Sequence, residues 1–207
     1  MKKVTYLLSF IVLVNSFFSL NAQDTIYITG TKAENYKKRS PIFDYSEKNL
    51  NHIDTIPGYV TQSNKLKITG TIYESDGATL AKNVILFIEQ SDEHGNFQLR
   101  RYNKKRYVEH RGWVRTNDKG EYTLYTFIPG SSMYGNDPKQ IHPILKEPNK
   151  APYKIEPFLF DDDPRLTDKC RELVEQTNPR RILKLDRKEG VYVTTRDIIL
   201  GEEIPIK

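Results

Sequence analysis

The sequence predicts an all-β protein: an antiparallel β-sandwich with a short C-terminal helix. Three observations carry this expectation. Residues 66–73 (LKITGTIY) alternate apolar and polar positions, the period of a half-buried strand. Residues 84–90 (VILFIEQ) are nearly continuously apolar, as a strand buried on both faces requires. Several further short segments of this kind follow, separated by Gly, Asp and Asn turns, a spacing typical of sandwiches.

In chain order, Lys2 and Lys3 precede an apolar run over residues 6–20, and Asn21-Ala22-Gln23 supplies a small residue for cleavage. A basic start followed by a short apolar stretch reads as a secretory signal peptide over residues 1–22, too short for a spanning helix. The expected product is exported, periplasmic or secreted, with no membrane span after cleavage. Residues 23–64 form a polar arm with one candidate strand at 25–28, either ordered against the domain or serving as a linker. The domain proper is expected over residues 65–207. Its first strand, 66–73, ends at the turn Ser75-Asp76-Gly77, and 84–90 follows. Residues 111–117 (RGWVRTN), the turn Asp118-Lys119-Gly120 and residues 121–127 (EYTLYTF) read as a hairpin. Residues 141–147 (IHPILKE) and 153–160 (YKIEPFLF) add two strands. A helix capped by Thr167 spans 167–176, and VYVTTRDIIL at 191–200 is a late strand. Ile68, Ile72, Ile85, Phe87, Trp113, Leu124 and Phe158 are the expected core, with Trp113 an anchor between the sheets.

Composition narrows the function classes. The chain has 207 residues and a net charge of +5, which becomes +3 once the two lysines of the leader are removed. Without a basic cluster interleaved with aromatics, this excludes a nucleic-acid partner. The densest basic stretch, RRYNKKR at 100–106, reads as a solvated face. A mildly basic rim still favours encounter with anionic aromatic acids. The one cysteine, Cys170, rules out an internal disulfide. Nothing in the sequence specifies an oligomeric state. His52, His94 and His110 are too scattered for a metal cluster. Asp161-Asp162-Asp163 lacks the spacing of a calcium loop and reads as a turn before Pro164.

Residues 111–165 carry a more specific signal. A strand-turn-strand is followed by Pro129-Gly130, Tyr134, an Ile141-His142-Pro143 strand start and the close FLFDDDP at 158–164. This arrangement resembles the metal-binding half of the intradiol ring-cleavage dioxygenases. The resemblance implies a sandwich that holds Fe(III) between two Tyr and two His. It also implies a small aromatic diol as substrate, bound directly to the iron and opened with oxygen. Tyr134 matches the second Tyr ligand, and Gln140 and His142 stand six and eight residues later, where the family has two His. The first Tyr of the family closes a pattern like W-Q-x-D-x-x-G-x-Y. Here Gln90, Asp92 and Gly95 match it, but Phe97 replaces the Tyr.

Two of the four ligand positions are therefore altered. Tyr102 and Tyr107, in the following strand-loop-strand, are candidate substitute phenolates. Lys139 stands near the place of a substrate-facing family Arg. The first half also resembles transthyretin-like and carboxypeptidase-regulatory-like modules, exported sandwiches that bind or space. Two readings stay open: an aromatic-ring dioxygenase, or an exported binding module of the same fold without iron or catalysis.

Overall fold

The computed structural model describes residues 36–45, 50–132 and 135–201. The leader and the candidate strand at 25–28 lie outside them. In chain order the strands are β1 (Ile53–Thr55), β2 (Lys65–Tyr73), β3 (Ile85–Gln90), β4 (Leu99–Tyr102), β5 (Lys105–Val108), β6 (Arg111–Arg115) and β7 (Glu121–Phe127). β8 (Gln140–Lys146), β9 (Tyr153–Lys154) and β10 (Phe158–Phe160) precede the helix α1 (Asp168–Thr177). β11 (Ile182–Leu183), β12 (Asp186–Lys188), β13 (Val191–Thr195) and β14 (Ile198–Ile199) follow it.

Two six-stranded sheets stack as the sequence predicts. The first has the order β1-β7-β2-β13-β12, with β14 also on β2; the second has the order β11-β10-β8-β3-β6, with β9 on β8. The long central ladders, β2 with β7 and β3 with β6 and β8, are antiparallel. Parallel pairs are added at the margins: β1 on β7, β11 on β10, and β13 and β14 on β2. The late strand expected over 191–200 is thus two strands. Leu66, Ile68, Ile72, Leu86, Leu124 and Phe158 are among the side chains that meet between the sheets. Thr167 caps α1 by accepting from the Cys170 amide.

Two expectations need correcting. The segments 111–117 and 121–127 are not a hairpin, because β6 pairs with β3 in one sheet and β7 with β2 in the other. The turn itself is as read: the Asn117 carboxamide accepts from the amides of Lys119 and Glu121 at 2.9 Å each. Turn chemistry is local, but which sheet a strand joins is decided by distant partners. Trp113 is buried, but on the outer face of the second sheet rather than between the sheets. There it packs with Ile85, Phe87 and Ile144 beneath Ile42, and its indole donates to the Pro41 carbonyl.

Of the two alternatives for the polar arm, its described residues follow the first and are ordered against the domain. β1 is an edge strand, and residues 39–45 strap the outer face, with Ile42 fully buried. The ammonium of Lys105 locks the strap by donating to Asp44 at 2.6 Å and to the Arg39 carbonyl at 2.8 Å. Burying one isoleucine in this way contributes about 1.5–3 kcal/mol. At the opposite margin, Leu166 and Val174 from the α1 region pack on Leu159 and Ile182. Strap and helix each cover part of the outer face, and the residues singled out by the sequence lie on the remainder.

Candidate functional site

β8 alternates, so Ile141 and Leu145 enter the core between the sheets. Gln140 and His142 therefore share the opposite, outward side. Register then sets their neighbours. His142 stands directly opposite Glu89 on β3, and Glu89 opposite Arg111 on β6, so the three form one row across the sheet. Half-burial pushes the His142 pKa down, an effect Lys154 reinforces and Asp137 opposes, so the imidazole is neutral at pH 7. Burial pushes the Glu89 carboxyl up, against the pull of Lys154 and Arg111. The Arg111 guanidinium sits over the Tyr107 ring, 3.8 Å from its centre, and 5.1 Å from that of Trp113.

Phe97 reaches this row through a tight turn. Asp92 accepts from the amides of His94 and Asn96 at 2.9 and 2.8 Å and from the Gln98 side chain at 3.1 Å. Burial alone would raise its carboxyl, but the bonds from Asn96, Gln98 and His94 outweigh it and hold the pKa below the usual range. Gly95 completes the turn at φ +83°, where a Cβ would collide with the Ser131 carbonyl. Gln90, fully buried on the inner side, ties the strand to β7 by donating to the Phe127 carbonyl at 2.9 Å and accepting from Thr126 at 2.7 Å. The result sets the Phe97 ring 5.7 Å from the His142 ring, tilted by 48°. Phe97 stays 46% exposed, so its outer surface is open to a ligand.

The structure thus brings Phe97 and His142 together and places Gln140 on the same side. Tyr134 lies outside the described residues. Tyr102 is 58% exposed near the turn of the β4–β5 hairpin. Tyr107 is stacked on Arg111, whose strand β6 lies two strands from that of His142, roughly 10 Å across the sheet at about 4.8 Å per strand. Lys139 is half-buried, and its amide donates to the Asp163 carboxylate. Asp163 is itself buried and also accepts from the Arg165 amide, as a turn residue would. The Arg165 guanidinium donates to the carbonyls of Ser132, Gly135 and Asp137 at 2.6, 3.2 and 3.3 Å, holding both sides of that loop.

Sequence reasoning passed over Glu89, Arg111 and Arg165. Only Glu89 carried a signal, as the one charge in an otherwise apolar run. A separate cavity of about 280 Å³, lined by Glu74, Glu147, Lys150 and Tyr153 among others, shares no residue with this face. Its Glu147 carboxylate is already satisfied by Tyr153 and Lys150.

Ferric iron prefers anionic oxygen and imidazole donors. Of the four matched positions, Phe97 has no donor and Gln140 offers a neutral amide oxygen. Among the described residues no three His, Cys, Asp or Glu side chains converge as a metal site. Even with Tyr134 counted, this donor set does not fit ferric iron.

No protein-family model matches the chain, and no curated protein gives a significant match. Solved structures do match. One is the dioxygenase domain of a dioxygenase carbohydrate-binding protein fusion from Streptomyces sp. SirexAA-E, at 19% identity and a TM-score of 0.56, covering 74% of this chain and 90% of that one. Another is an intradiol ring-cleavage dioxygenase from Tetranychus urticae, at 16% identity and a TM-score of 0.55, covering 74% and 87%. A third is 3-chlorocatechol 1,2-dioxygenase from Rhodococcus opacus 1CP, at 18% identity and a TM-score of 0.54, covering 73% and 66%. At these identities the likeness is one of fold: the chain has the β-sandwich of the intradiol dioxygenases.

Proposed function

We propose that this protein is an exported binding module of intradiol-dioxygenase fold, which holds a small aromatic diol on the Phe97–His142 face without opening its ring. The observation that carries this reading is the Phe97 ring packed against His142, where the family pattern has a metal-binding phenol. A phenyl group cannot donate to iron, and with Gln140 beside His142 too few strong donors remain to hold the ion that activates a bound diol. What the face does offer is recognition chemistry. A half-exposed aromatic ring contributes about 0.5–1.5 kcal/mol through edge or offset stacking. A neutral imidazole accepts a hydrogen bond from a phenol hydroxyl. The choice of a catechol-type ligand is motivated by the Rhodococcus opacus neighbour, a 3-chlorocatechol dioxygenase.

Iron content and visible absorption of the purified, ferric-loaded protein provide the test, together with oxygen uptake on adding catechol. The expected result is a colourless protein that takes up no oxygen yet binds catechol in calorimetry. A tyrosinate charge-transfer band with oxygen uptake would instead establish an iron-dependent dioxygenase. The double substitution Phe97→Tyr, Gln140→His restores both altered positions. If the wild type is colourless, this variant is expected to gain iron and the band.

A further inference from the structure

The basic stretch at 100–106 is divided by the fold. Lys105 is bound into the strap, and Arg100 pairs with Glu109 at 2.8 Å. Arg101, Lys104 and Arg106 join no ion pair among the described residues. All four residues of β4 are exposed, and β5 is its one neighbour among the described strands. The hairpin turns through Asn103 and Lys104, both at positive φ, a two-residue turn that matches the strand twist and fixes the register.

In that register Arg101 stands directly opposite Arg106, and Leu99 opposite Val108. The Glu109 amide donates to the Gln98 carbonyl, so residues 98 and 109 form a hydrogen-bonded pair. Alternation then makes Leu99–Val108 and Arg101–Arg106 non-hydrogen-bonded pairs, whose Cα atoms approach to about 4.5 Å. Two like charges thus face each other at the closest cross-strand spacing, which destabilises the hairpin unless something neutralises them. The amides and carbonyls of Leu99 and Arg101 point away from β5, to the open edge of β4. Tyr107 and Lys105 turn to Arg111 and the strap, so Arg101, Arg106 and the 57%-exposed Leu99 lie on the other face of the hairpin.

We propose that the open edge of β4 docks an extended acidic segment of a partner protein. The segment adds antiparallel to β4, with a carboxylate opposite Arg101 and, two residues further along, an apolar side chain opposite Leu99. A free anion would neutralise the arginines but leave the amides, carbonyls and Leu99 untouched, whereas an extended chain meets all of them. A second copy of β4 would bring its own cations to the same edge, and such charges keep edge strands of one kind apart. Because residues two apart share a face, the register asks for the order acid-x-apolar. The hairpin already holds the geometry it needs, so little ordering opposes association. This edge shares no residue with the Phe97–His142 face.

Short blocked peptides and calorimetry on the full protein test the docking edge. The probe is a threonine peptide of seven residues with Glu third and Val fifth. It is expected to bind about tenfold or more tightly than the same peptide with Glu and Val adjacent, whose side chains take opposite faces. Arg101→Gln or Arg106→Gln should weaken it about tenfold, the loss of one bond between charged groups. N-methylation of the Glu and Val amides, which would donate to the Arg101 and Leu99 carbonyls, should abolish binding. N-methylation of the Thr between them, whose amide points away from β4, should leave most of it. Equal affinity for the two peptides, undiminished binding by both arginine variants, or equal tolerance of the two methylations overturns the proposal. So does binding of tripolyphosphate without binding of the probe, which would show an anion site instead, and so does failure of the probe to bind at all.

Discussion

Gly95 offers a controlled measure of how tightly the Phe97 turn is built. Gly95 and Gly190 have almost the same backbone, at φ +83° and +84°, but different surroundings. A Cβ at Gly190 meets nothing within 4 Å, whereas one at Gly95 collides with the Ser131 carbonyl oxygen and stands 2.6 Å from its carbon. Gly190→Ala therefore carries only the cost of the left-handed conformation, about 1–2 kcal/mol. Gly95→Ala carries that cost and must also push apart two backbone segments, an overpacking penalty of about 1–3 kcal/mol more. For a chain of this size, each kcal/mol lowers Tm by about 2–4 °C. Gly95→Ala should therefore melt about 2–12 °C below Gly190→Ala, and urea midpoints should fall in the same order. The displaced turn should also weaken catechol binding in Gly95→Ala but not in Gly190→Ala. Equal melting temperatures for the two variants would refute the packing argument.

Three further outcomes are expected. Ile42→Ala removes a fully buried side chain of the strap and should cost about 2–5 kcal/mol in chemical denaturation, whereas a strap merely resting on the sandwich would leave stability unchanged. The depressed Asp92 pKa makes its contribution complete above the unfolded value of about 4, and that contribution is lost as pH falls through the lower folded value. The loss of stability between about pH 7 and pH 3 should accordingly be smaller in Asp92→Asn than in the wild type, by urea titration at each pH. Mass spectrometry of exported material should find a mature N-terminus near Gln23, and intact Met1 on a membrane-embedded product would contradict export by a cleaved leader.

Read residue by residue, the chain reveals what short-range chemistry dictates. Period-two alternation located β2, and a continuous apolar run located β3, because burial on one or both faces selects those patterns directly. Thr167 announced α1, since a cap acts within a few residues. The family-like pattern around Gln90, Asp92 and Gly95 was legible because each residue meets a local demand: a buried tie to the next sheet, a turn cap, and a position without room for a Cβ. Phe97 and Gln140 could be read as departures for the same reason, since the absence of a phenol or an imidazole needs no structure to be seen.

Which strands become neighbours is a different matter, settled by contacts between distant segments. A tight turn joins β6 to β7 whether or not they pair, and their separation into two sheets follows from contacts with β3 and β2 far along the chain. Trp113 alternates correctly for burial, but which side is outer depends on the strap that arrives from residues 39–45. Glu89 and His142 lie 53 positions apart, and no local pattern links them. Their pairing is a matter of register, set by every residue of the ladder between β3 and β8, and a slip of one position would turn Glu89 into the core.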